Sequence, residues 1–580
     1  MSAVSAQASI KQRSGVPPLP NAHEDRYKWT VLINTTIGML VASINSSILL
    51  ISLPAIFRGI GISPLAPGQS GYLLWILLGY MVVTATLLVT FGRISDMFGR
   101  VKLYNLGFAI FTVGSGLLAF TPGTGDQAAT IILVLRLVQG VGGAFLFANS
   151  TALLTDAFPP SQRGTAMGVS QVAAIVGALG GLLLGGWLST IDWRLVFLVS
   201  VPFGLVGTIH GYLGLHEVAT IRRGQKLDIP GNLTFGVGLT AILIGLTYGI
   251  EPYGSSSMGW TNPWVVGCLV GGAAILAAFA WIETHVADPL FHLELFKIRI
   301  FTAGNISGFC ASLARGGLQF MLIIWLQGIW LPLHGYSFEE TPLWAGIYTM
   351  PMLIGFVISG PASGWLSDRF GARAFATGGM LITAAGFVAL CTLPGDFNRG
   401  IFFALLLILG IGMGLFAAPN TTSIMNSVPP EARGVASGMR GTFQNAGQMV
   451  SIAFFFSILT AGLASSLPTV MYQGLHHNGL SVALSHQISH LPPIGVLFAA
   501  FLGYNPMQSL VPHSASIHLS HHTRGVLFGH AFFPHLILPA FLDGLHLAFY
   551  VSAAISLIAA VASLLRGKRY IHGEEAPTQG

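Results

Sequence analysis

The stretch Gly92-Arg93-Ile94-Ser95-Asp96-Met97-Phe98-Gly99-Arg100-Val101-Lys102 decides the fold. It is a short charged turn between two long apolar runs. A related stretch, Gly364-Trp-Leu-Ser-Asp368-Arg369-Phe-Gly371-Ala-Arg373, stands 272 positions later in the same setting. Glycine lets two helices reverse direction at little steric cost, and Arg and Lys mark the connectors that stay on the cytoplasmic side of a membrane. Asp96 is expected near the start of the following helix, where a negative charge meets the positive end of the helix dipole. The repetition implies two homologous halves.

Composition supports a membrane setting. Of 580 residues, 53% are apolar and only 8% charged, against about 25% charged in a soluble domain. The net charge of +6 is spread over short connectors, so it reads as membrane topology and not as a nucleic-acid surface. Cys268, Cys310 and Cys391 all fall in apolar runs without pair or metal spacing, as buried packing residues do. No cofactor motif appears. Residues 1–28 are polar and proline-bearing, and are expected to form a disordered cytoplasmic N-terminus without a cleaved leader.

Apolar runs of spanning length, about 20 residues each, fall at 29–51, 71–91, 103–121, 129–151, 166–189 and 194–215, then 228–250 and 263–283. The last six fall at 301–328, 343–366, 374–393, 401–424, 437–463 and 544–567. The reading is an all-α polytopic membrane protein with fourteen spans grouped six, two and six: a bundle over 29–215, two central helices with linkers over 216–300, a bundle over 301–567 and a cytoplasmic tail at 568–580. With the N-terminus inside, the cytoplasmic segments hold 20 of the 26 Lys and Arg, the outer loops hold four (Arg58, Arg194, Arg399, Arg524), and Arg136 and Arg315 fall within spans. Miscounting one helix would destroy that asymmetry.

The segment 464–543 is expected to be an outer loop, and it contains ten of the eighteen histidines. His486 with His490, and His518 with His522, are spaced to share a helix face and are weak metal candidates; no bound metal is expected. Apolar stretches near 494–503 and 531–542 are too short to span and are expected to be re-entrant or interfacial.

The charged turn resembles the signature between helices 2 and 3 of the major facilitator superfamily, with its degenerate copy in the second half. The resemblance implies that Gly92, Asp96, Gly99 and Arg100, with Gly364, Asp368, Arg369 and Gly371, gate the cytoplasmic side. Leu133-Val-Leu-Arg136-Leu-Val-Gln139-Gly140-Val-Gly142-Gly143 is similar to the family's buried-arginine motif; an arginine in hydrocarbon is a functional candidate by default. Gly177-Ala-Leu-Gly180-Gly181-Leu182-Leu-Leu-Gly185-Gly186 resembles the antiporter motif, with Leu182 where the family has proline. Its glycines at 177, 181 and 185 make a smooth stripe for helix packing, but the proline kink is lost. Asp192-Trp-Arg194-Leu-Val-Phe197, Ala436-Ser-Gly438 and Phe541-Leu-Asp543-Gly544 match the fourteen-span drug:proton antiporter branch.

One departure bears on mechanism. Asn45 stands where that branch carries an Asp in span 1, and none of the twenty Asp and Glu lies mid-span. Arg315 sits about 14 residues into span 9, roughly 20 Å deep, with Gln319 one turn on. Arg136, Asp156 and His210 are the candidates for proton coupling. Asn45, Gln139, Asn149, Gln171, Arg315, Gln319, Asn420 and Asn445 are the candidates for lining a cavity. Two arginines without a membrane carboxylate point to neutral or anionic amphiphiles.

The resemblance implies an inner-membrane transporter with both termini cytoplasmic, exporting small amphipathic compounds against protons by alternating access. It implies no enzyme and names no periplasmic adaptor. A uniporter or anion-linked exchanger on the same fold is the alternative, and a non-transporting sensor a remote one.

Overall fold

The computed structural model describes residues 21–62, 69–159, 162–218, 228–254, 256, 258–286, 289–429, 432–491, 493–501, 505, 507–511 and 520–567. Most of the N-terminus expected to be disordered, the basic connector 222–226, His518 and the tail 568–580 lie outside these residues. Among the described residues fourteen helices are long and apolar enough to cross a membrane, and there is no sheet.

The first six are α1 (Asn21–Ile60), α2 (Ser70–Phe98), α3 (Arg100–Ala119), α4 (Gly125–Ala157), α5 (Arg163–Ile191) and α6 (Leu195–Gly214). Two more follow, α7 (Ile229–Gly249) and α8 (Pro263–Glu283). The second half has α9 (Arg299–Leu333), α10 (Thr341–Phe370), α11 (Ala372–Leu390), α12 (Arg399–Asn426) and α13 (Arg433–His477). The short α14 (Val482–Ser489) and α15 (Pro493–Phe501) precede the last span, α16 (Phe532–Leu564). Within the first half α1 packs on α5 and α4 on α2 and α3; within the second α10 and α11 pack on α12, and α9 on α13. The halves meet where α5 packs on α10 and α2 on α13.

The repeated turn is the same object twice. Gly99 has φ 107° and Gly371 φ 85°, a region that disfavours a Cβ. Each N–H closes the preceding helix on a serine carbonyl, Ser95 or Ser367, at 2.9 Å. Asp96 lies in the last turn of α2 and not at the start of α3. There Glu217 accepts the Val101 N–H at 2.6 Å, so a distant acid meets the dipole.

The glycine stripe of α5 lies against α1. A Cβ on Gly177 would stand 2.5 Å from the Leu40 carbonyl oxygen, and one on Gly181 2.6 Å from that of Ile44. One turn further, Gly186 faces the other half: its Cβ would meet the Leu343 Cα of α10 at 2.6 Å. Leu182 is fully buried and α5 runs through it without interruption.

The His-rich connection is shorter than expected. Helix α13 continues to His477 because Leu463, Leu467, Met471 and Leu475, four apart, are all fully buried. An averaged hydropathy loses such a stripe among serines, glycines and histidines. The stretch 531–542 opens α16, with Pro539 inside it. The stretch near 494–503 contains α15, whose Val496, Leu497 and Ala499 are buried. It caps α9 where that helix widens into a π-helical segment, Leu326–Trp330, and the Cβ missing at Gly328 admits the Ala500 carbonyl.

Helices α7 and α8 pack on each other and α7 on α2. Asp228 caps α7 through the Gly231 N–H (2.9 Å). Glu283 accepts the Phe291 N–H (3.0 Å), tying the link that leads to α9.

A candidate functional site between the two halves

A cavity of about 350 Å³ lies between the halves. Its two walls differ in charge, while both carry hydroxyls, which in the second half are Ser312, Thr383, Thr421 and Ser437. The first half contributes hydroxyls (Ser43, Ser46, Ser47, Thr84, Thr151, Ser170) with Tyr80 and Gln171. The second contributes Arg315 and Arg440 with the amides of Asn305, Gln319, Asn420, Gln444, Asn445 and Gln448. Phe356, Phe416, Met380 and Met413 supply apolar surface. No Asp or Glu lines the cavity among the described residues.

Arg315 has no hydrogen-bond or ion-pair partner among the described residues. Arg440 donates from Nη1 to Thr421 Oγ1 and to Gln444 Oε1, both at 3.3 Å, while its Nε is unpaired. The sequence reading counts Arg440 among the cytoplasmic charges, yet α13 begins seven residues earlier and carries it inward. Its signal was legible: Arg440, Gln444 and Gln448 recur every fourth residue, one face of a helix. Arg566 is likewise not a free tail charge. It is buried and donates to Asn420 Oδ1 at 2.5 Å, while Asn420 Nδ2 donates to the Gly304 carbonyl at 3.1 Å.

Three residues expected at the cavity do not line it. Asn45 and Gln139 stand one layer back, and Asn149 bonds the Phe145 carbonyl of its own helix at 2.9 Å. The first two hold Arg136. Its guanidinium donates to Asn45 Oδ1 (3.1 Å), Gln139 Oε1 (2.5 Å) and the Ile76 carbonyl (3.4 Å), and Gln139 Nε2 continues to Ser115 Oγ (2.7 Å). Arg136 is only 1% exposed, and the Tyr80 ring, 4.8 Å away, separates it from the cavity. All its partners are neutral. An Asp in place of Asn45 would neutralise this cation; Asn45 leaves its charge in place.

At the arginine-rich end, Arg100 clasps two acids: Nε to Asp96 at 2.7 Å and Nη1 to Asp156 at 2.5 Å. Asp156 closes α4, so the clasp joins the ends of α2, α3 and α4. In the second copy Ala372 takes the place of Arg100, and Arg369 lies over the Trp365 ring at 4.2 Å. His210 lies away from the cavity, with Asn34 Nδ2 at 3.0 Å from its Nδ1. The His486 and His490 rings are 4.4 Å apart, and no group of three metal-binding side chains occurs among the described residues.

An amphipathic chamber between two six-helix halves, each with the same glycine-hinged turn, defines a membrane transporter of alternating-access type. The chain belongs to the Major Facilitator Superfamily, whose family model matches residues 35–452. It is similar to the riboflavin transporter RibZ of Clostridioides difficile, at 28% identity over 76% of this chain and 90% of that protein. It is also similar to the tetracenomycin C resistance and export protein of Streptomyces glaucescens, at 26% identity over 96% and 94%. Among solved structures, a bacterial homolog of the human lysosomal transporter Spinster, inward-facing and occupied, matches with TM-score 0.55 at 15% identity, covering 95% of this chain and 99% of that one. That likeness concerns the fold.

Proposed function

We propose that this multi-pass membrane transporter sits in the cytoplasmic membrane with both termini inside and exports small amphipathic compounds, driven by the proton gradient. The carrying observation is the amphipathic chamber between the halves, with hydroxyls and amides beside Phe and Met. Resistance and export proteins among its relatives support the outward direction. The bundles 29–215 and 301–567 rock about the chamber. The turns at Gly92–Arg100 and Gly364–Gly371 act at the cytoplasmic side, and the connection after α13 lies outside.

Asp156 is the coupling acid in this reading. Its protonation removes one of the two carboxylates that hold Arg100 and loosens the clasp; Arg136 and His210 are the alternatives. A second reading, uniport or anion-linked exchange, draws support from a chamber without Asp or Glu among its described lining residues. The test is purified protein in liposomes with an internal pH dye and an imposed proton gradient. Cargo-dependent proton flux that Asp156→Asn abolishes is the expected result. Cargo movement without proton flux sinks the coupled reading in favour of the second.

A further inference from the structure

We propose that the cargo carries an anionic group, a carboxylate or comparable oxyanion, bound between Arg315 and Arg440; this rests on the transport reading. Among the described residues the chamber holds two guanidiniums and no acid. A cationic cargo would meet two like charges in a chamber walled by protein, where they are less screened than in bulk water. A neutral cargo would displace water from Arg315 and from the unpaired Nε of Arg440 without replacing its hydrogen bonds. An oxyanion satisfies both, because guanidinium presents a planar fork of donors that matches it.

The helix packing brings the two arginines to one place. Gly316, next to Arg315, lies against α13 so closely that its Cβ would be 2.9 Å from the Gln448 carbonyl oxygen. The following N–H, of Gly317, donates to Ser451 Oγ at 2.6 Å. Arg315 is therefore level with Gln448. Arg440 is two turns along the same helix, about 12 Å at 1.5 Å per residue, which is within joint reach of two arginine side chains. Gln319 and Gln444, each one turn from an arginine, complete the polar rim of this wall. Among the described residues the facing wall carries no charge, so the anionic end of the cargo is fixed to the second half and the rest spans to the first.

The sign of the cargo also bears on its driving force. With the cell interior negative, a 100 mV potential sustains a roughly fifty-fold outward gradient of a monovalent anion by itself. An anion exporter thus needs no carboxylate in its chamber.

The test uses three probes with one skeleton, naphthaleneacetate, naphthaleneacetamide and naphthylethylamine, on the full-length protein in liposomes. Uptake and thermal shift are both measured. Wild-type protein is expected to prefer the acid over the amine by at least about ten-fold, the worth of one charge-assisted hydrogen bond. Arg315→Gln and Arg440→Gln should each lose a comparable factor for the acid and a clearly smaller one for the amide, and Lys at either site should restore part of the loss for the acid. Preference for the amine, or equal losses for acid and amide in variants that keep the wild-type Tm, overturns the proposal. An acid-selective thermal shift without uptake of any probe would keep the anion site and overturn the transport reading instead.

Discussion

Gly186→Ala is expected to weaken closure of the end of the transporter that carries the His-rich connection. The added Cβ would stand 2.6 Å from the Leu343 Cα and 2.8 Å from its N. Ordinary contacts begin near 3.4 Å, so α5 and α10 must separate by about 0.8 Å. Both neighbours are backbone atoms and cannot turn aside. Overpacking of this kind costs about 1–3 kcal/mol. The cost falls only on the state in which these helices touch, because the contact joins one half to the other. The equilibrium between closed and open should then move by roughly five- to 150-fold. Gly180→Ala, six positions away on the same helix, is the control, since no atom lies within 4 Å of its Cβ. The assay takes a variant with Cys268, Cys310 and Cys391 replaced by serine and Ser46, on the cavity wall, replaced by cysteine. An impermeant thiol reagent is then added outside intact cells. Labelling should accelerate several-fold in Gly186→Ala and stay unchanged in Gly180→Ala. Equal rates in the two would refute the reasoning.

Three further outcomes are expected. Arg136→Lys replaces a fork whose Nε reaches the Ile76 carbonyl and whose Nη1 reaches Asn45 and Gln139 by one nitrogen on a shorter stem, so a buried acceptor should lose its donor at about 1–3 kcal/mol; a thermal melt should fall by several degrees, and an unchanged melt counts against the network. Asp156→Asn removes one arm of a partly exposed ion pair, worth at most about 1 kcal/mol in stability, yet labelling from the cytoplasmic face of inverted vesicles should rise. Burial raises the Glu251 carboxyl above its ordinary pKa, so the folded state holds its proton more tightly than the unfolded chain, and this group's contribution to stability falls as pH rises through the carboxyl range. Glu251→Gln should raise the melting temperature at pH 7 and leave it unchanged in acid where the carboxyl is protonated in both states; the opposite pattern would contradict the burial.

The spans were legible because membrane helices are written in long apolar runs and each connector carries its charge sign. The repeated turn was legible because glycine at 99 and 371 serves a backbone angle that other residues rarely take. Helix extensions beyond the apolar runs were harder to read. The Leu463–Leu475 stripe is a packing signal four residues apart, hidden in a segment whose average polarity reads as loop. The chamber was half legible. Polar residues inside spans mark an interior, but Asn45, Gln139 and Gln171 look alike in sequence, and only the packing of α1, α2 and α4 puts the first two behind Tyr80. Arg440, inside the expected span 437–463 but counted with the cytoplasmic charges, shows the same limit from the other side: only the start of α13 at Arg433 puts it two turns into the helix.

The arginines of the chamber wall, with no Asp or Glu beside them among the described residues, have a consequence for leakage. A carrier whose chamber fills with water in each cycle offers hydronium and alkali ions a path across the bilayer. Each guanidinium about 10 Å from such an ion raises its energy by roughly 1.7 kcal/mol at an effective dielectric constant of 20. Arg315 and Arg440 together then oppose its passage by two orders of magnitude, and Arg136 behind Tyr80 adds to the field. The same charges act as an electrical seal, so a cell can keep this carrier in its membrane in quantity without discharging the gradients it lives on.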